Sequence, residues 1–293
     1  MNPEQLRLNA RIEDEHWWFV GRRRILARLA DRLVGAGLEQ LVIDVGCGTG
    51  ANLAAVARER RGVGIDTSPE AVSLARQRFG HVEFRLGDAL TDLSDVLPQA
   101  RLVLLTDVLE HVRDDFALAS GLLAAVAPGA WFIITVPADP ALWSAHDESH
   151  LHYRRYTRER FERIWRGLPV EVPLVSAFNS RLYLPIKTVR TLTRRRGRAA
   201  GHAGTDLFLP PRPVNRLLTA LYASEGARLE QALAHGGPPY AAGVSLLAVL
   251  RRREGQIAMR CKPADLPADQ FDPVAAAQTV TDNTAAAVAP PAG

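Results

Sequence analysis

The run Leu41-Val42-Ile43-Asp44-Val45-Gly46-Cys47-Gly48-Thr49-Gly50 constrains this chain more than any other stretch. Its first five residues read as a buried strand, and the glycine loop then leads directly into a helix expected from Gly50 to about Arg60. Glycines there let the backbone turn tightly and approach a ligand closely, while a helix N-terminus offers free N–H groups to an anion. A second strand, 62–65, closes on Asp66-Thr67-Ser68-Pro69, where Ser68 as N-cap and Pro69 at the first helical position start a helix reaching about Phe79. Further strands are expected at 82–86, 102–106 and 131–136, with a helix near 116–126. Strands alternating with helices imply an α/β domain with a parallel sheet covered on both faces.

Composition narrows the class. With 47% hydrophobic residues among 293 the chain can bury a large core, and a 23% charged fraction excludes disorder throughout. The longest apolar run, around 122–136, is broken by Pro128-Gly129, so no transmembrane helix is expected. Cys47 and Cys261 are too few for a disulfide framework and suit a reducing compartment. The polar, acid-containing first residues do not read as a secretory signal, so a cytoplasmic protein is expected. The basic residues are 34 Arg and 2 Lys, and 12 of them fall within 177–252 against 3 acids. A local basic block speaks about partners rather than fold.

Past residue 140 the periodicity loosens. A short helix is expected at 157–165 and a sixth strand at 172–177. Residues 179–240 are too long for a simple connection and are expected to fold as an insertion. In it Leu182, Ile186 and Val189 share one helical face, and Pro213 opens a second helix carrying Leu217, Leu218, Leu221 and Leu229 as far as Gly236-Gly237. A seventh strand is expected at 243–250. The organisation is therefore an N-terminal helical arm or lid (1–38), a core (39–178), a basic helical insertion (179–240), the last strand of the core (241–253) and an Ala/Pro/Thr-rich disordered tail (254–293).

Asp66 lies at the end of the second strand, where a carboxylate can accept hydrogen bonds from two ribose hydroxyls. Asp88 and Ala89 follow the third strand, placed so that the carboxylate can accept from an adenine amino group while the Ala89 N–H donates to a ring nitrogen. The glycine loop and Asp66 would also suit an NAD-dependent oxidoreductase of Rossmann type, but the loop is GxGxG rather than GxGxxG. The segments VIDVGCGTG, GIDTSPEAVSLAR, GDA and TDVLEHV each resemble, in order, the successive motifs of class I S-adenosylmethionine-dependent methyltransferases, of the small-molecule, ubiquinone-biosynthesis-like type. The resemblance is detailed over about 39–140 and implies a Rossmann-like seven-stranded, mostly parallel sheet with an antiparallel last strand. It implies S-adenosyl-L-methionine as cofactor, with Gly46, Cys47, Gly48 and Gly50 at its amino-acid end and Asp44 near its ammonium. Asp66 with Thr67 would then meet the ribose, Asp88 with Ala89 the adenine, and Asp107, ending the fourth strand, would complete the site. A non-catalytic adaptor that keeps the fold is the rival outside enzymology, and the intact glycines and carboxylates argue against it.

Methyl transfer is an in-line displacement, so positioning supplies most of the catalysis, and an alcohol acceptor also needs a base. O-methylation is the expected chemistry. The stretch 136–156 is dense in polar and aromatic residues and follows the carboxyl end of a strand, where ligands bind in such sheets. His146, followed by Asp147, is the candidate base, with a rate expected to rise through a pKa of about 6–7. His111 beside Glu110 either lines the acceptor pocket or is structural. His146, His150 and His152 are irregularly spaced and no cysteine joins them, so no metal is expected. Arg154, Arg155 and Tyr156 either serve this loop chemically or tie it to the acidic core.

The N-terminal run Glu15-His16-Trp17-Trp18-Phe19 either folds over the cofactor mouth, as is usual in the resembled family, or packs on the sheet. Arg194-Arg195-Arg196-Gly197-Arg198 has only Tyr183 and Phe208 nearby for base stacking, which disfavours nucleic acid. Between two amphipathic helices it reads as an acceptor lid, a peripheral contact with anionic membrane, or a solvated surface. The acceptor is expected to be a small molecule or lipid-linked.

Overall fold

A computed structural model describes residues 3–195, 208–237 and 239–274. The chain runs through α1 (Pro3–Ile12), α2 (Trp17–Val34), β1 (Gly37–Val45), α3 (Ala51–Val56), β2 (Arg60–Asp66), α4 (Pro69–Arg78), β3 (Glu83–Leu86), β4 (Leu102–Thr106), α5 (Asp115–Ala125) and β5 (Trp131–Pro137). It continues through α6 (Ala145–Ser149), α7 (Arg158–Glu162), β6 (Val170–Phe178), α8 (Tyr183–Arg195), α9 (Arg212–Ala223), α10 (Glu225–His235) and β7 (Ser245–Arg252). The strands form one seven-stranded sheet in the order β3-β2-β1-β4-β5-β7-β6, with β7 antiparallel to both β5 and β6. The other pairings are parallel. The α/β class and the single reversed strand are as the sequence led us to expect.

Both faces of the sheet are dry. Leu41, Ile43 and Val45 alternate into a layer shared with Phe116 and Leu122 of α5 and Phe161 of α7. Val42 faces the opposite layer, with Ile25 and Leu29 of α2, Leu53 of α3, Val72 of α4 and Leu229 of α10. Strands buried on both sides need the near-continuous apolar runs seen here. The start of α4 follows the sequence signal, with the Ser68 side chain accepting from the Ala71 N–H and Pro69 at the first position.

Four boundaries differ from expectation, three of them with a long-range polar contact at the difference. The helix expected from Gly50 to about Arg60 is α3 and ends at Val56, where the buried Arg60 guanidinium donates to the carbonyls of Gly35 and Val56 and to Asp31, drawing the chain into β2. β1 begins at Gly37, so the expected division at 38/39 falls inside a strand. The helix expected from Pro213 to Gly236 is two, α9 and α10, because the fully buried Glu225 accepts the N–H groups of Ser180 and Arg181 and pulls its turn onto the end of β6. Residues 254–274, expected as the start of a disordered tail, are anchored to the body. Asp269 accepts from Arg154 at 2.5 Å and from Lys262 at 2.7 Å, and Ile257 and Leu266 pack on the core. Residues 275–293 lie outside the described residues, as do Arg196 and Arg198 of the arginine run.

The order β3-β2-β1-β4-β5 reverses direction between β1 and β4. Ligands in open α/β sheets bind at such switch points, beyond the strands' carboxyl ends. The glycine loop leaves β1 there and Thr106-Asp107 leaves β4 beside it.

Candidate active site

The loop is fastened before it meets any ligand. The N–H groups of Gly46 and Cys47 both donate to the Ile65 carbonyl, at 2.8 and 3.0 Å. Asp66 receives the Gly48 N–H on one carboxylate oxygen (2.9 Å) and the Ser68 N–H on the other (2.8 Å), so the expected ribose carboxylate also sets the loop's shape. Gly46 has φ +69°, and a Cβ there would stand 2.6 Å from Val108. Gly48 also has positive φ, but a Cβ there would meet nothing within 4 Å, which marks the open side of the loop. Two residues before the loop, Asp44 is 1% exposed and its Oδ1 has no hydrogen-bond partner. Burial, reinforced by Asp66 and opposed by Arg22, pushes its carboxyl up to about 8. An orphaned buried carboxyl beside an open glycine loop fits a ligand that brings an ammonium and a carboxylate. Cys47 is buried and its thiol is pushed well up, so it packs rather than reacts.

Asp107 adopts φ +55°, a backbone that side-chain-bearing residues rarely take, and it is over-determined by its neighbours. It accepts from Thr135 Oγ1 at 2.9 Å and pairs with Arg22 of α2. Asp88 caps its own turn, its Oδ1 accepting from the N–H groups of Leu90 (2.9 Å) and Thr91 (3.3 Å), while the Ala89 side chain is buried in the core. Asp66, Thr67, Asp88 and Ala89 lie along the carboxyl edge of β2 and β3, outside the lining of the cavity described next.

That cavity, of about 450 Å³, reaches from the glycine loop to α8 and the segment 208–218. One wall is apolar, formed by Trp17, Phe19, Leu182, Ile186, Phe208 and Leu218. The other is polar, formed by Glu110, His111, His146, His150, His152 and Arg155. Trp17 and Trp18 line the cavity and pack edge-on and tilted against buried Tyr222 of α9, with ring centroids 6.1 and 5.6 Å apart. Thr49 Oγ1 donates to Glu13 at 2.7 Å, and Arg78 pairs with the same carboxylate, so the α1–α2 connection is tied to the loop.

The histidine wall corrects one assignment. Asp147 is fully buried and does not line the cavity, so it is not placed to take a proton from an acceptor. It accepts from the Ser144 N–H (3.0 Å) and His152 Nδ1 (3.0 Å) and pairs with Arg155 (2.9 Å). Burial raises its carboxyl, but Arg155, the hydrogen bond from His152 and Arg190 outweigh that and hold it far below the usual range, and its work is to orient His152. His146 and His111 do face the cavity, His146 with its ring 4.1 Å from His150 and His111 with its ring 4.6 Å from His152. Burial, with His150, Arg190 and His152 nearby and only Asp147 opposing, holds the His146 imidazole well below its ordinary value. It is therefore neutral at physiological pH, and a rate rising through a pKa near 6–7 does not follow from it. The sequence did not single out Arg22 or Glu110 as site residues; it weighed His150 and His152 only as metal ligands, and Arg155 either as serving the loop or as tying it to the acidic core. The run Arg22-Arg23-Arg24, three residues after the aromatic triplet, was the one local signal for Arg22.

Comparison with known proteins agrees with this geometry. Residues 19–171 match the family described as methyltransferase domain, and the chain belongs to it. Trans-aconitate 2-methyltransferase of Methylobacterium radiotolerans is 33% identical over 133 residues, which are 44% of this chain and 48% of that protein. The chain thus matches about half the length of that curated relative. Among solved structures, a chain from the complex of the Haloferax volcanii Trm112 methyltransferase activator with a methyltransferase superposes with a TM-score of 0.53 at 18% identity, covering 87% of this chain and 97% of that one. The plantazolicin methyltransferase BpumL in complex with SAH superposes with a TM-score of 0.52 at 14% identity, covering 86% and 90%. At these identities the likeness is one of fold.

Proposed function

We propose that the protein is an S-adenosylmethionine-dependent methyltransferase that methylates an oxygen of a small-molecule or lipid-linked acceptor. The observation that carries this reading is the glycine loop, open at Gly48, at one end of a cavity whose other end is walled by histidines. The buried Asp44 Oδ1, two residues upstream of the loop and outside the cavity lining, has no hydrogen-bond partner. Gly46, Cys47, Gly48 and Gly50 would hold the cofactor's amino-acid end, Asp44 its ammonium, Asp66 and Thr67 its ribose, Asp88 and Ala89 its adenine. Asp107, fixed by Arg22 and Thr135, would border the position of transfer. When bound, S-adenosylmethionine supplies an electrophilic methyl group on a sulfonium sulfur. Trp17, Trp18 and Phe19 would keep water from it, and His111 would border the acceptor. A ring nitrogen of His146 would accept the proton of the acceptor hydroxyl.

His146→Ala is expected to lower turnover about 10²-fold with cofactor affinity unchanged. Because the imidazole is already neutral, wild-type turnover should show no inflection from this group between about pH 6 and 8. Unaltered turnover in the variant would take the role from His146. The acceptor itself is sought by comparing metabolites of a deletion strain with its parent. A compound lighter by one methylene unit should accumulate, and purified protein with S-adenosylmethionine should convert it back. No such compound, and no transfer to any component of the strain's extract, would contradict the reading.

The cavity's apolar wall supports the lipid-linked form of the acceptor. Leu184 of α8 is 70% exposed and Leu217 of α9 is 60% exposed, each beside residues that line the cavity. Arg181, Arg212 and Arg216 are exposed on the same insertion. No described helix is long and apolar enough to cross a membrane, so contact would be peripheral. Each arginine near an anionic surface contributes about 1 kcal/mol. Replacing Arg212 and Arg216 together by Ser should therefore weaken sedimentation with anionic vesicles by roughly 30-fold, and less at high salt. If the wild type sediments no better with anionic than with neutral vesicles, the insertion serves the acceptor or solvent alone.

A further inference from the structure

We propose that Glu110, His111 and His152 form a binding site for one divalent first-row transition-metal ion on the polar wall of the cavity. The histidine spacing within 146–152 gave no such site, because the third ligand comes from elsewhere. The turn after β4 and the loop after α6 are joined by the Tyr153 N–H, which donates to the Glu110 carbonyl at 2.7 Å. That contact brings the His152 ring beside His111 at 82° to it. One carboxylate oxygen and one nitrogen from each imidazole then lie within 4.8 Å of one another. Ligands at about 2.1 Å from a shared ion stand about 3.0–3.4 Å apart, so side-chain rotation alone closes the set.

Two independent features point to a cation. Glu110 is 1% exposed and its Oε2 has no hydrogen-bond partner, although it borders the cavity. A buried carboxyl with nothing to accept is costly, and a bound ion removes that cost. His152, in turn, already has the support that metal-binding histidines have. Asp147 can only accept, so the 3.0 Å contact fixes the proton on His152 Nδ1 and leaves the Nε2 lone pair for an ion. Asp147 is held in place by Arg155 and the Ser144 N–H. Two imidazoles and one carboxylate suit zinc, iron or cobalt and leave coordination positions open toward the cavity. Under the methyltransferase reading an ion there would face the acceptor oxygen and acidify its proton. Binding of the ion does not depend on that reading.

The test uses chelator-treated full-length protein, titrated with Co²⁺ alone, without cofactor or acceptor, by calorimetry and visible absorption. One Co²⁺ per chain should bind, develop ligand-field bands and be displaced by Zn²⁺. Glu110→Gln and His152→Gln should each weaken binding at least tenfold, and Asp147→Asn by about 10–100-fold. His235→Ala, at the exposed end of α10, should leave it unchanged. Melting curves of the metal-free variants establish that they fold. If one does not, the wild type decides: Zn²⁺ should raise its Tm and EDTA should reverse the rise. Absence of binding by the wild type, undiminished binding by both Glu110→Gln and His152→Gln, or no change of wild-type Tm would overturn the proposal.

Discussion

Asp66→Ala should weaken S-adenosylmethionine binding at least 10²-fold. The carboxylate ends β2 and, in the proposed function, would accept from two ribose hydroxyls; a hydrogen bond to a charged group contributes about 1.5–3 kcal/mol. Two such bonds, discounted for their coupling, amount to about 3 kcal/mol, and every 1.4 kcal/mol is roughly tenfold. A further loss comes from the loop. Asp66 holds the N–H groups of Gly48 and Ser68, so without it the open face of the glycine loop is no longer preorganised. Asp66→Asn keeps one carbonyl acceptor and should fall between wild type and Ala. Calorimetric titration of the three proteins checks the order. An Ala variant that binds within threefold of wild type would separate Asp66 from the cofactor site.

Asp115→Ala should cost about 3–5 kcal/mol of stability, the scale for removing one partner of a buried ion pair. Asp115 is fully buried at the start of α5. It accepts two bonds from Arg160 Nη2, at 2.8 and 2.7 Å, and one from Tyr156 Oη at 2.9 Å, with Arg154 3.6 Å away. Truncation leaves the Arg160 Nη2 and the fully buried Tyr156 hydroxyl without that acceptor, while Arg154 keeps Asp269 and nearby carbonyls. At roughly 2–4 °C per kcal/mol for a chain of this size, Tm should fall by about 10 °C. The loss should also reach the active-site wall, because Arg154 and Tyr156 anchor the loop that carries His146 and His152. Scanning calorimetry measures the first effect. A Tm within about 2 °C of wild type would mean that the arginines find other partners.

The glycine-loop half of the candidate site was legible in the sequence because its signals are local. Asp44, Gly46, Gly48 and Gly50 sit within seven residues, and a strand run before them and a helix after them leave one backbone solution. The parallel pairing of the first five strands follows from the same alternation, whereas their order does not. The acceptor half is different. His152 stands beside His111 through a single backbone bond between distant segments, Arg22 reaches Asp107 from the N-terminal helix, and no periodicity encodes either contact. Asp147 was visible as a candidate, but its role depends on the side chains of His152 and Arg155 converging on it from the same side. The anchored segment 254–274 was missed for a similar reason: its composition resembles a tail, and Arg154, which holds Asp269, lies far away in sequence. The break between α9 and α10 likewise needs Ser180 and Arg181 to be next to Glu225.

The central claim is that this sheet and loop bind S-adenosylmethionine rather than a nicotinamide dinucleotide. It is tested most directly by titrating the purified full chain with each cofactor in the same calorimeter. S-adenosylmethionine should bind with one site per chain. The neighbourhood of Asp44 adds a signature: its carboxyl sits near 8, and the arriving ammonium lowers it. Protons should therefore be released on binding near neutral pH, so the measured heat should vary with the ionisation enthalpy of the buffer. In Asp44→Asn that dependence should vanish. NADH should produce no binding heat. Binding of NADH more tightly than S-adenosylmethionine would contradict the account.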